Sequence, residues 1–261
     1  MATADMSSRA LVTGATSGIG RAFAVELARR GHALVLVARD EARLRQLARE
    51  LPGGPHEILI ADLADEHGCG QVELRLERDQ DAVDLLVNAA GLGTSGGYPD
   101  VDLEQEESQL SVNVTAVLRL GWAAARAMRR RRRGAIVNIA STAAIWSVGT
   151  YAASKAWVVK ATQGLAVSLA GDPVAVLCVI PGFTRTEFHS RSGVDNSGVS
   201  SWLWLSPESV VRDALNALAA GRTECVPGRQ YRILVPIARL LPTGARKALL
   251  RQLAPLRPAR D

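Results

Sequence analysis

Lysine is almost missing from this chain: of its 31 Lys and Arg residues only Lys155, Lys160 and Lys247 are lysines. Aromatic residues are scarce as well, at 4% of 261 residues, with three tyrosines and three phenylalanines. Cys69, Cys178 and Cys225 form an odd and widely spaced set. That excludes a disulfide framework or a cysteine metal centre and reads as reduced, buried thiols, so no metal is expected. No apolar run approaches the roughly 18 to 20 residues of a membrane-spanning helix. The longest, Val174 to Ile180, stops at Pro181 and reads as a buried strand. The strand-like Ala10-Leu11-Val12 follows Met1 so soon that no signal peptide is expected, and the chain is read as cytoplasmic. Internal repeats and linkers rich in Pro, Gly or Ser are absent too. Residues 1–261 are therefore expected to form a single domain, with a helical extension from about residue 229.

The net charge is +5, and Arg129 to Arg133 form a run of five arginines. A single short basic cluster without interleaved aromatics reads as the last turn of a helix, where cations complement the macrodipole before Gly134. No nucleic-acid partner is expected from it. The sequence is basic again from Arg229 onward, which leaves room for weak membrane-surface contact without making it the expectation.

Short apolar runs alternate with helical patterns. The strand expectations are Ala10–Thr13, Ala33–Ala38, Glu57–Ala61, Val83–Asn88, Ala135–Ala140, Val174–Ile180 and Glu224–Pro227. Helices are predicted over Ile19–Arg30, Glu41–Leu51, Leu103–Arg130, Tyr151–Leu169 and Pro207–Ala220. The strands are rich in Val, Ile and Leu with little alternation, as in a sheet buried on both faces. Strand, helix, strand in succession implies a doubly wound parallel sheet in an α/β fold. Residues 183–206 break this rhythm and carry Phe183, Phe188, Trp202 and Trp204, a composition suited to a lid. After Gly228 the pattern predicts short amphipathic helices broken at Pro236, Pro242, Pro255 and Pro258.

Two motifs carry chemistry. Thr13-Gly14-Ala15-Thr16-Ser17-Gly18-Ile19-Gly20 joins the first strand to the first helix. Glycines there admit phosphates close to the backbone, and the helix end supplies orphan N–H groups and partial positive charge. Tyr151-Ala-Ala-Ser-Lys155 places a phenol and an ammonium on one helix face. A neighbouring cation favours phenolate, so the Tyr151 pKa is expected to fall towards neutrality.

This glycine spacing together with Tyr-x-x-x-Lys resembles the short-chain dehydrogenase/reductase family over about Leu11 to Thr186, with the helical rhythm continuing to Ala220. Val210 to Leu241, with Val226-Pro227-Gly228, further resembles bacterial ketoreductases and hydroxysteroid dehydrogenases. The resemblance implies a Rossmann-type sheet of about seven strands in the order 3-2-1-4-5-6-7, with helices on both faces. It implies Tyr151 as proton donor to a carbonyl, Lys155 as its partner and holder of the nicotinamide ribose, and Asn113 as support for a proton relay. Asp62 and Leu63 are implied at the adenine. Asn88-Ala89-Ala90-Gly91, with Ala where the family has a second Asn, lies along the cofactor. Pro181, Gly182, Thr184 and Thr186 belong to the loop that holds the nicotinamide. Homo-oligomers, dimer or tetramer, are implied through the fourth and fifth helices.

The family's carbonyl-polarising serine corresponds to Ser141, with Thr142 as fallback. Only ten residues separate Ser141 from Tyr151, closer than the family's usual spacing, which counted back would fall on Asn138 inside a strand. The loop between is therefore shortened, and Trp146 in it either lines the pocket or packs on the surface.

NAD-binding sites usually end the second strand in a carboxylate; here Ala38 is followed by Arg39, a group able to bind a 2′-phosphate, with Ser17 adding a hydroxyl. Asp40 next to it is read as a helix cap. NADP(H) is expected, with NAD(H) left open as the alternative. The function expected is NADPH-dependent reduction of a ketone or aldehyde on an apolar acyl, steroid-like or polyketide substrate, its pocket drawn from Trp146, Phe183, Phe188 and Trp202. The alternative is a non-catalytic NADP(H)-binding regulator or redox sensor on the same scaffold.

Overall fold

The computed structural model describes residues 8–94, 101–146, 149–242, 244–246, 248 and 257–258. Seven strands make one parallel sheet: β1 (Arg9–Thr13), β2 (Ala33–Ala38), β3 (Glu57–Ile60), β4 (Val83–Asn88), β5 (Gly134–Ile139), β6 (Val174–Val179) and β7 (Glu224–Cys225). Their order is 3-2-1-4-5-6-7, the doubly wound Rossmann-type arrangement the sequence implied.

Alternate residues of each strand enter two different cores, which is why the strands read as unbroken apolar runs. Ala10, Val12, Leu34 and Leu36 face one side, while Leu11, Val35 and Val37 face the other. The first core is closed by α1 (Gly18–Arg29), α2 (Glu41–Glu50), α6 (Pro207–Ala219) and α7 (Arg229–Leu240). The second is closed by α3 (Glu66–Glu77) and by α4, in which Leu103–Leu110, a π-turn Ser111–Thr115 and Ala116–Arg131 run on as one helix. The helix α5 (Gly149–Ser168) packs beside α4 over β5 and β6.

Three features add to or differ from the sequence reading. Helix α3 fills the interval between β3 and β4, for which the sequence reading gave no bounds, and it forms although Gly68 and Gly70 depress its propensity. Gly68 has a packing reason: a Cβ there would come within 2.2 Å of the Asp62 carbonyl oxygen. Helix α7 does not break at Pro236 but runs through it. Tyr231, Val235 and Ala238 anchor its inner face while Pro236 stays on the exposed side, where water can satisfy the carbonyl the missing N–H leaves free. The lid is also more structured than a loop, with one-turn helices Phe188–Arg191 and Ser201–Leu203 and a short antiparallel ribbon, Val194–Asp195 with Arg257–Pro258. The part of the expected helical extension over residues 249–256, with Pro255, lies outside the described residues.

The arginine run does end a helix. Arg132 adopts φ 56° as the C-cap of α4, Arg129 pairs with Asp172, Arg130 and Arg131 with Asp79, and Arg133 with Asp84. All three cysteines are buried and free, and burial pushes their thiols up, to about 11 at Cys69 and Cys225 and about 12 at Cys178. None of the described helices is long and apolar enough to cross a membrane.

Candidate active site

Strands β1 and β4 are neighbours although the chain leaves them in opposite directions across the sheet, so a crevice opens at their carboxyl ends. Thr13 ties the crevice together: its hydroxyl accepts from the Ala89 and Ala90 N–H groups at 3.0 Å each. Gly14, at φ +65°, lets this contact form, since a Cβ there would stand 2.9 Å from the Ala90 Cα. A Cβ on Gly20 would come within 2.3 Å of the Gly14 oxygen, so α1 sits hard against the loop. Helix α1 starts at Gly18 with no side-chain cap from Ser17 and no acidic residue in its first turn. Its orphan N–H groups and positive end are thus left for an anion. Thr16 and Gly18 are half-buried in the same loop, and Ile19 packs its side chain on the core.

At the far end, Arg39 holds an exposed guanidinium 3.6 Å from Asp62. Asp40 caps α2, accepting from the Arg43 N–H at 2.9 Å. Asp62 accepts from Ala64 N–H in a tight turn, while the cap of α3 falls to Asp65. Leu63 is buried in the core, which leaves its backbone for any ligand. Asn88 gives its amide to Asn138 at 2.9 Å, and Asn138 in turn donates to Thr162 at 3.0 Å. Both are structural clamps between β4, β5 and α5.

Tyr151, Lys155, Ser141 and Asn113 are brought together. Lys155 is buried, donates to the Ile139 carbonyl at 3.1 Å and stands 5.8 Å from the Tyr151 ring centre. Burial lowers its pKa to about 8, with Cys178 acting weakly the other way. Burial likewise pushes the Tyr151 phenol up to about 12, and a hydrogen bond with Ser141 restrains that rise. The expected fall of the Tyr151 pKa is therefore not found. Desolvation outweighs a cation that lies over the ring and spends its proton on a carbonyl. The Ser141 hydroxyl also accepts from Ala143 N–H at 3.1 Å, at the start of a one-turn helix Ala143–Trp146. Thr142 is buried and bonds by its N–H to the Pro181 carbonyl at 2.9 Å, so Ser141, not the fallback, reaches the phenol.

Asn113 sits in the π-turn of α4, fully buried. Its amide bonds both ways with the Leu92 backbone, at 2.9 and 2.8 Å, and donates to Ser154 at 3.2 Å. Gly91 is the small residue between it and the lysine. A Cβ there would lie 3.3 Å from Asn113 Oδ1 and 3.4 Å from Lys155 Nζ, so any side chain would crowd both groups.

The lid closes from above. Gly18 would touch Thr186 at 3.0 Å with a Cβ, and Phe188 packs on Tyr151 with ring centres 5.4 Å apart. Thr184 is buried and donates to the Gly182 carbonyl at 2.9 Å, leaving Thr186 as the half-buried hydroxyl nearest the cradle. Phe183 stacks with His189 and Trp204 at 5.8 and 5.6 Å, Trp146 packs on the core, and Trp202 stands half exposed. Only Phe188 of the four expected pocket aromatics thus meets Tyr151. A groove of about 1200 Å³ runs behind the lid between α1 and α6, and no reacting-centre side chain lines it.

Several participants were not foreseen. Tyr231 of α7 lies under Gly182, donates to Leu203 O at 2.8 Å and accepts from Phe183 N–H at 3.0 Å. Glu187 pairs with Arg43 and Arg191, and Arg191 reaches Ser17 at 3.4 Å, tying the lid to the cradle. Buried Glu106 accepts from Thr94, Gln109 and Thr150 beside Tyr151. These contacts span from 12 to 174 positions except within the lid and α4, so no local signal marks them.

A family model described as short chain dehydrogenase matches residues 8–196. The 3-oxoacyl-[acyl-carrier-protein] reductase of Bos taurus is 35% identical over 179 residues, 67% of this chain and 75% of that protein. A short-chain dehydrogenase from Sphingobium yanoikuyae in complex with NADPH superposes with a TM-score of 0.82 at 34% identity, covering 97% of this chain and 98% of that one. A short-chain dehydrogenase/reductase from Burkholderia phymatum in complex with NAD gives 0.76 at 27% identity, covering 88% and 92%.

Proposed function

This chain belongs to the short-chain dehydrogenase family, and from that premise we propose that it reduces a ketone or aldehyde to an alcohol with NADPH, Tyr151 giving the proton. Family membership makes it an NAD(P)-dependent oxidoreductase. The observation that carries the finer reading is the meeting of Tyr151, Ser141 and buried Lys155 under Phe188.

The cradle fits a dinucleotide. Gly14, Gly18 and Gly20 have no room for side chains, and the uncapped start of α1 suits a pyrophosphate. Arg39 and Ser17 are the groups for a 2′-phosphate, with no carboxylate at Ala38 to repel it. Lys155 and Thr186 are the groups for the nicotinamide end. The bound dinucleotide supplies the hydride.

The chain's own part is protonic. Burial keeps Tyr151 neutral at physiological pH, the state a proton donor needs. Ser141, hydrogen-bonded to that phenol, is placed to share the carbonyl oxygen. The Lys155 ammonium offers positive charge beside an oxygen that becomes negative as hydride arrives. Asn113 and Lys155 both lie against Gly91, which places the two groups of the implied proton relay beside each other. A neutral tyrosine favours reduction; alcohol oxidation, which needs the phenolate, would call for higher pH. The contact between Ser141 and Tyr151 supports the enzyme over a non-catalytic regulator, whose motive was the shortened loop.

Phe188 packs against Tyr151, so a substrate group lying next to the carbonyl meets an aromatic ring and is apolar. An acyl, steroid-like or polyketide ketone meets that demand. Self-association has a surface on α4, where Leu118 and Trp122 are exposed and Arg126 stacks on Trp122 at 4.3 Å. The test is NADPH absorbance with β-ketoacyl thioesters, ketosteroids and aromatic polyketides. Oxidation of NADPH with at least one class is expected; tight NADPH binding with no turnover on any class would favour the regulator.

A further inference from the structure

The positive charge of this chain is not where its most conspicuous basic run lies. Arg129, Arg130, Arg131 and Arg133 are matched by Asp172, Asp79 and Asp84. Residues 229–261 instead hold eight basic residues against one acid, a net +7 where the whole chain carries +5, so residues 1–228 carry −2. Among the described side chains Arg232 and Arg239 pair with Asp213 and Glu224, and Arg246 donates to the Leu241 and Ile145 carbonyls.

The same segment exposes apolar surface. Helix α7 buries Tyr231, Val235 and Ala238 inward, yet its outer face shows Ile233, Ile237 and Leu240 at 64, 48 and 87% exposure. Their spacing of four and three makes one continuous stripe. Arg229 and Arg232 flank it, and the sequence beyond continues to mix leucine with arginine. The ribbon of Val194–Asp195 with Arg257–Pro258 fastens the end of this stretch to the lid.

We propose that the outer face of α7 docks on an anionic lipid surface, to which the net +7 of residues 229–261 attracts it. An apolar stripe bordered by arginines is the pattern of a helix lying in a membrane interface, with the stripe among acyl chains and the cations among phosphates. The charge argues against a second copy, since a symmetric contact would bring two segments of net +7 together. The shape argues against an acidic protein. The stripe is the convex outside of a single helix, to which a fluid surface conforms without a complementary groove.

The test is co-sedimentation of the full chain with vesicles of phosphatidylcholine alone or with about 30 mol % phosphatidylglycerol. Partition to the anionic vesicles is expected to exceed that to neutral ones at least about tenfold and to fall steeply by about 0.5 M salt. Combining Ile233→Ser, Ile237→Ser and Leu240→Ser is expected to reduce it about tenfold with an unchanged circular dichroism spectrum. Combining Arg229→Gln, Lys247→Gln and Arg251→Gln, which leaves the stripe intact, is expected to reduce anionic binding alone. Arg129→Gln with Arg130→Gln is expected to leave binding as it is. Equal partition to neutral vesicles, or none to either, would overturn the proposal. So would binding of polyglutamate in place of vesicles, or dissociation of a dimer by the serine variant.

Discussion

The glycine cradle and the aromatic lid close on one cleft by opposite means. In the cradle, backbone meets backbone: Gly14 lies on Ala90, and Gly20 on Gly14, at distances that leave no room for a methyl group. In the lid, side chains hold the chain: Phe183, His189 and Trp204 stack together, and Tyr231 reaches in from α7 to bond two backbone groups. A backbone contact is set by local residues and tolerates no substitution. A side-chain contact is assembled from distant segments and can let go. The cradle suits a ligand part common to all substrates of the family, and the lid suits the part that changes.

The largest effect should therefore come from the cradle. Gly20→Ala is expected to cost about 3 kcal/mol or more of stability, the upper range for overpacking, because the added methyl meets backbone. Chemical denaturation of the variant measures it; a change below about 1 kcal/mol would mean the loop yields easily and the contrast is false.

In the lid, Tyr231→Phe keeps the ring under Gly182 but strips the hydroxyl from the Phe183 N–H and Leu203 carbonyl. About 2 kcal/mol should be lost, and substrate KM should rise more than kcat falls. Equal loss in both parameters would place Tyr231 in the chemistry instead of the lid.

Smaller again is Arg39→Ala. The guanidinium is 63% exposed, so about a tenfold loss of NADPH affinity is expected, with NADH binding unchanged. Isothermal titration with both dinucleotides decides this, and parallel losses would assign the phosphate elsewhere.

The mildest is a pH effect. Lys155 titrates near 8, below its ordinary 10.5, because burial penalises the ammonium. The charge is present below about pH 8 and lost above it, so the rate of reduction should fall about twofold at pH 8 and further beyond. For stability the sign is opposite: between about 8 and 10.5 the unfolded chain binds the proton that the native state has released, so folding gains with rising pH. Lys155→Met should flatten both profiles, and an unchanged alkaline limb would assign it to another group.

The same contrast explains what the sequence could disclose. The strands, the cradle, the Asp40 cap and the Tyr151–Lys155 pair were legible because each rests on neighbouring residues or a period, while the strand order came with the family resemblance. The finer lid was not, because Tyr231 and Phe183 lie 48 positions apart and only folding joins them. The π-turn at Asn113 follows from its bonds to Leu92, 21 positions away, and no local pattern announces it. Helix α7 was divided at Pro236 because proline is a strong local signal, and tertiary anchoring by Val235 and Ala238 overrules it. The Tyr151 pKa ran opposite to expectation because sequence displays the nearby cation and hides the burial.

The central claim is that Tyr151 donates the proton. Tyr151→Phe should be assayed for NADPH affinity by fluorescence titration and for ketone reduction on a substrate that the wild-type chain turns over. The account expects kcat to fall by about 10² to 10⁴ with the affinity for NADPH within about twofold of wild type. Full reduction by the phenylalanine variant would contradict it.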